Sequence, residues 1–200
     1  SIMDVIERNH GEVSRHLQTS RIAPSNEDED DYAEDYPLLP VRRRFWEKVL
    51  RNVDESGTTS QLRTQLKIVF DAAKETAEKE LGTVVPADYI YDQISSDLLN
   101  TGVLQREYYE TIAELKGNGK NGVLKSRICA CIFLISRLPR SPSADDGVRA
   151  TPETIADLLV EDLGVDGARL REDVPKLHAE LVEHGKIMSV GDEYILQTRE

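Results

Sequence analysis

Apolar positions fall into helical spacing almost from the first residue. Ile2, Val5, Ile6, Val13 and Leu17 predict a helix over about 2–17 with a weak point at Gly11. From about Thr19 to Asp35 the periodicity is lost. Pro24 and Ser25 lead into a run of acids, and the segment reads as a surface loop or disordered insertion. Order returns at Tyr36-Pro37-Leu38-Leu39-Pro40. After it, Val41, Phe45, Trp46, Val49, Leu50 and Val53 line one side of a helix whose other faces carry Arg42, Arg43, Arg44, Lys48 and Arg51. Gly57 with Thr58, Thr59 and Ser60 supplies a turn and an N-cap. Leu62, Leu66, Val69, Phe70, Ala73 and Ala77 then predict a second amphipathic helix, antiparallel to the first.

The pattern changes again at Gly82-Thr83-Val84-Val85-Pro86, an extended piece that stops at a helix start. Short helices follow around Tyr89 to Leu99 and Leu104 to Leu115, and the Gly117-Asn118-Gly119-Lys120-Asn121-Gly122 run reads as a turn. The helix expected over 123–138 is apolar nearly all round, which marks a central core element, and Pro139 ends it. Beyond a Ser- and Asp-rich loop come an extended Gly147-Val148-Arg149-Ala150 and a helix capped at Thr151 with Pro152 in its first turn. Leu170, Val174, Leu177 and Leu181 then define a longer helix that stops near Gly185. Two alternating segments, 186–190 and 193–197, flank a Gly191-Asp192 turn and predict a β-hairpin. Helix, short strand, helix, helix, hairpin is the order of a winged helix, in which the hairpin is the wing. The expected fold is therefore mainly α. It divides into a helix over 1–24, an acidic loop over 25–35, a helical bundle over 36–122 and a winged helix over 123–200.

Composition narrows the function classes. The chain has 39% apolar and 31% charged residues and a formal charge of −12. Seven of the acids sit in one run: Glu27, Asp28, Glu29, Asp30, Asp31, Glu34 and Asp35. That balance argues against a non-specific nucleic-acid coat, which needs a surplus of Lys and Arg, but it leaves room for a local basic face. No segment approaches the roughly 18–20 apolar residues of a membrane span, and residues 1–5 lack a secretory pattern. Cys129 and Cys131, inside an apolar helix, read as reduced core residues, and a cytoplasmic location is expected.

Candidate chemistry is sparse. Gly117-Asn118-Gly119-Lys120 resembles a fragment of a phosphate loop, but the first glycine, the Ser or Thr after the lysine and the preceding strand are all missing. Cysteines two apart on a helix point to different faces and cannot share a zinc ion, so no metal site is expected. His10, His16, His178 and His184 are spread over separate helices and read as surface or capping residues. No nucleophile with a partnered base stands out, and no catalytic residue is assigned. On the expected recognition helix, Arg169, Arg171 and Lys176, with Lys186 at the wing, are the candidate DNA contacts. The acids Glu172, Asp173, Glu180 and Glu183 share that helix.

A resemblance adds context. The stretches 36–50 (Tyr-Pro-Leu-Leu-Pro-Val-Arg-Arg-Arg-Phe-Trp-Glu-Lys-Val-Leu), Ser60-Gln61-Leu62-Arg63, 81–88, 128–140, 149–154 and 194–198 resemble the large P-loop ATPases of BREX bacteriophage-exclusion systems, of the BrxC/PglY type. Together they extend over most of the chain. Such proteins are similar to AAA+ ATPases of the origin-recognition type. The resemblance implies that residues 36–122 are a lid-like bundle and 123–200 the winged helix, following an upstream nucleotide-binding core that residues 1–24 complete. It implies ATP and magnesium for the parent protein, held by residues outside this chain, and no cofactor here. It also implies a nucleotide-sensing role for Arg63, one turn into the lid helix. The partners it implies are the ATPase core, other BREX defence proteins, duplex DNA and further copies of the chain in a homo-oligomer. The alternative from the residues alone is a free-standing winged-helix DNA-binding regulator.

Overall fold

The computed structural model describes residues 1–55 and 61–198, with backbone only for 55 and 61–64. In chain order the elements are α1 (Ile2–Arg8), α2 (His10–Arg15), a 3-10 turn (Asn26–Asp28) running into α3 (Glu29–Asp35), α4 (Pro40–Glu55), α5 (Gln61–Thr76), α6 (Tyr89–Thr101), α7 (Arg106–Lys116), α8 (Gly119–Ser136), α9 (Pro152–Leu159), α10 (Asp166–Glu183), β1 (Ile187–Val190) and β2 (Glu193–Leu196). The chain is mainly helical, with a small antiparallel hairpin at its C-terminal end. Among the described residues, no helix is long and apolar enough to cross a membrane.

The axis of the fold is α8. Every residue from Ile128 to Ile135 is buried, and α6, α7, α9, α10 and β2 all pack on this helix. An element surrounded on all sides needs apolar residues on all sides, so the absence of a polar stripe follows from its position. α8 begins earlier than its sequence suggests. The expected turn over 117–122 is confined to Gly117 and Asn118, and Lys120, Asn121 and Gly122 are already helical. A Cβ at Gly122 would lie 2.4 Å from the Leu115 carbonyl oxygen, so glycine there lets α7 and α8 cross closely.

The C-terminal part has the expected winged-helix order. Thr151 accepts a bond from the Thr154 N–H and caps α9, with Pro152 in the first turn. α10 buries Leu170, Val174, Leu177 and Leu181 and continues through Pro175, which is exposed. Ile187 pairs with Leu196 and Val190 with Glu193, and Tyr194 N–H bonds the Ala150 carbonyl, which ties the extended 148–150 segment to the hairpin. One core runs from Ile6 to Ile187.

Five expectations fail, each for a physical reason. The first helix breaks at Asn9 and not at Gly11: the Asn9 side chain bonds the Val5 carbonyl and closes α1. The acidic segment is no loop. Ser25 and Asp28 form a capping box, and Glu29, Asp30 and Asp31 sit in the first turn of α3, where the helix dipole favours acids. The face of α5 is rotated from the expected one: Ile68, Ala72 and Thr76 are buried, and Leu66 and Phe70 are exposed. Arg42 is fully buried and does not belong to a basic surface. His16 and His178 are core residues, His178 packing edge-on against Tyr194 at 4.7 Å. The expected cap at Ser60 lies outside the described residues.

Candidate functional site

α10 carries three of the four cations that the sequence offers for DNA, and the fold treats them differently. Arg169 and Lys176 lie two turns apart and face the same side of the helix, whereas Arg171 points to the opposite side. Arg169 is 54% exposed and pairs with Asp166 at 2.9 Å; Lys176 is 68% exposed and pairs with Glu172 at 3.2 Å. Arg171 is only 17% exposed. One of its nitrogens contacts both Glu12 oxygens, at 3.1 and 2.9 Å, and another donates to Asp157 at 2.8 Å. Lys186 is half-buried at the start of the wing. Arg63 lies on α5, and its side chain is outside the described residues. The fold thus brings Arg169 and Lys176 to one surface and commits Arg171 to the interior.

The surface that Arg169 and Lys176 share also holds Glu172, Asp173, Glu180 and Glu183, four acids against two bases. The wing adds no positive tip. Gly191, with φ of 62°, makes the turn, and the exposed residue beside it is Asp192. Met188 stands opposite Ile195 across the hairpin, and Val190 is on the same face as Met188; all three are exposed large apolar side chains. The outer face of the wing therefore carries three exposed apolar side chains beside Glu193, which pairs with Arg140, and an acidic tip.

Beneath α10 lies a polar cluster that sequence reasoning missed. Asp157, 3% exposed, accepts from Arg171 through one oxygen and from the Leu17 N–H, at 3.1 Å, through the other. Its main-chain carbonyl accepts from Arg42 at 2.9 Å, and Arg42 also donates to the Val85 carbonyl at 2.7 Å. Burial lowers the Arg42 guanidinium to about 10, partly offset by Asp88, Glu161 and Asp157, so it stays charged at neutral pH. His16 stands 3.8 Å from Glu12, with both ring nitrogens unpartnered among the described residues; burial pushes its pKa down. Burial works to raise Glu12, but His16 and Arg171 together hold it below the usual carboxylate value. Gly167 makes room for this cluster: a Cβ there would lie 2.0 Å from a Glu12 oxygen. One signal was present in the sequence, since Asp157 interrupts the apolar run of α9 and an acid at such a position needs a buried partner.

The cluster joins segments far apart in sequence: α2 through Glu12, α4 through Arg42, α9 through Asp157 and α10 through Arg171. A buried network of this kind holds α10 in one orientation. Comparison with protein-family models, with curated proteins and with solved structures finds no match to this chain.

Proposed function

We propose that this chain is the non-catalytic lid and winged-helix part of a BREX-type phage-defence P-loop ATPase, and that its winged helix couples nucleotide state to a partner protein in preference to DNA. The family assignment rests on the resemblance in residues 36–50, 60–63, 81–88, 128–140, 149–154 and 194–198. The choice of a protein partner rests on one observation: Arg171 is consumed by Glu12 and Asp157, which leaves an α10 surface with more acids than bases. Duplex DNA is read by cations that neutralise phosphates and reach base edges, and an acidic surface repels the same phosphates. The apolar outer face of the wing supports the same reading, because exposed apolar surface next to a polar rim is the composition of a protein contact.

The test is fluorescence anisotropy of the chain with duplex DNA across a salt series, alongside Arg169→Glu/Lys176→Glu. No salt-dependent binding near physiological ionic strength is the expected result. Binding that weakens steeply with salt and disappears in the double variant would overturn the protein-partner reading and restore the DNA one. The link to ATP is tested separately: Arg63→Ala in the full-length protein is expected to slow turnover, and unchanged nucleotide affinity and turnover would remove the sensing role.

A further inference from the structure

A cleft of about 530 Å³ opens between α6, α7 and the start of α8, with Asp88 and Glu161 also in its lining. That volume is within the range of roughly 300–1,000 Å³ of ligand pockets. Three aromatic rings line it, Tyr89, Tyr91 and Tyr109, together with the charged groups Asp92, Lys116 and Arg127. Tyr91 is 4% exposed, and its hydroxyl has no hydrogen-bond partner among the described residues. A buried phenol left unpaired is costly, and in a cleft wall it marks a position where an incoming polar group would be bound.

The charges decide what that group is. Arg127 contacts both oxygens of Asp88, at 2.9 and 3.0 Å, and Glu161 at 3.1 Å, so its guanidinium is already shared between two carboxylates and has little left for an anion. Lys116 stands 3.8 Å from Asp92, and both side chains are about 60% exposed, which makes a weak pair. The lining therefore carries three carboxylates against two cations, with Asp92 the least compensated. Desolvation by the cleft holds Asp92 above the ordinary carboxylate value, and Lys116 only partly offsets it. Tyrosine faces attract cations through the ring quadrupole, and a phenol oxygen accepts an N–H.

We propose that this cleft is a receptor for a guanidinium or ammonium group, presented by an arginine or lysine side chain of a partner protein. The cation takes the place beside Asp92 that Lys116 fills poorly, lies against the tyrosine rings and donates to the Tyr91 hydroxyl. The chemistry is that of aromatic cages for organic cations, with one carboxylate supplying the charge. The site uses no residue of α10 or the wing, and its proposed cation contacts, Tyr91 and Asp92, lie on α6.

The test is a titration of the ¹⁵N-labelled full chain, followed by NMR, with ethylguanidinium, its neutral analogue N-ethylurea, inorganic phosphate, agmatine and the capped tripeptide Gly-Arg-Gly. Ethylguanidinium is expected to shift the amides of residues 88–96, 109–116 and 126–130 saturably, with N-ethylurea and phosphate leaving them unmoved. Asp92→Asn is expected to weaken cation binding about tenfold, and Tyr91→Phe, which keeps the ring against Phe133, by about threefold. Equal shifts with N-ethylurea, stronger shifts with phosphate, or unchanged affinity in Asp92→Asn would each overturn the proposal. The peptide binding at least as tightly as agmatine supports a partner's side chain; agmatine binding more tightly than the peptide would overturn that source.

Discussion

Arg42 and Arg171 show how little a residue's type says about where its charge is used. Both come from stretches that look basic, and both end in the interior on carbonyl and carboxylate oxygens. Asp157 is where they converge, and removing one member of a buried charged cluster leaves the others uncompensated. Asp157→Ala should cost about 3–5 kcal/mol in urea unfolding. Arg171→Ala should cost a similar amount, because it leaves the buried Glu12 and Asp157 carboxylates without their shared cation. The double variant should fall short of additivity by about 0.5–3 kcal/mol, and strict additivity would show that the two groups are not coupled. His16 beside them sets the pH behaviour. Its folded pKa is lowered from the ordinary 6.5 by burial, so protonation favours the unfolded chain. His178 is shifted in the same direction. The stability these residues contribute is full above about pH 6.5 and is lost as pH falls below it. Stability measured between pH 7 and 5 should decline, and His16→Leu should flatten the decline; an unchanged slope would remove His16 from the account.

At the scale of elements, the sequence was informative wherever one helix face alone decides burial. The all-apolar α8, the Thr151 cap with Pro152, the apolar spacing of α10 and the Gly191 turn are local patterns, and each forms, α8 with an added turn at its start. What stayed hidden depends on partners distant in sequence. Arg42 meets Asp157 across 115 positions, and Arg171 meets Glu12 across 159. No local period encodes such pairs, so Arg42 looked like surface and Arg171 like a DNA contact. α3 is the same lesson with opposite sign. Its acids repel one another in isolation, but Arg43 reaches Asp31 and Asp35, and Arg44 reaches Asp28 and the Ile22 and Ala23 carbonyls. Folding therefore recruits the acidic run as a helix against a basic edge of α4. Arg44→Ala should release this edge: residues 22–35 should become sensitive to a glutamyl endoprotease, with about 1–3 kcal/mol of stability lost. Unchanged resistance to the protease would mean that the Arg43 pairs and Tyr32 packing hold α3 without Arg44. The candidate DNA contacts were half legible for the same reason, since spacing alone puts Arg169 and Lys176 on one side of α10 but cannot reveal which arginine has been claimed from within.

At the scale of the molecule, the boundary that the sequence places near residue 122 falls inside the first turn of α8, and the bonding crosses it. The extended 82–87 segment lies along the end of α9: Val84 N–H bonds the Glu161 carbonyl, Ala87 N–H the Leu158 carbonyl and Leu163 N–H the Gly82 carbonyl. Arg42 and Leu17 add their bonds to Asp157, Arg21 N–H bonds the Asp146 carbonyl, and Trp46 closes the far side on the Ala87 carbonyl. A winged helix cut out at residue 123 would lose the partners of the Leu158 and Glu161 carbonyls and of the Leu163 N–H, and one of the two partners of the Asp157 carboxylate, the Leu17 N–H, and would expose the faces of α8 that α6 and α7 cover. Each such buried group left unpaired costs about 1–3 kcal/mol, and a folded domain has only about 5–15 kcal/mol to lose. Residues 123–200 alone should therefore lack a cooperative melting transition and lose near-ultraviolet circular dichroism, whereas the full chain should unfold in a single step. A sharp, independent transition in the isolated fragment would mean that the winged helix moves as a separate body. In the full chain, by contrast, α4 and α10 share one core and meet at Asp157, through Arg42 on its carbonyl and Arg171 on its carboxylate, so the two helices should lose their order together.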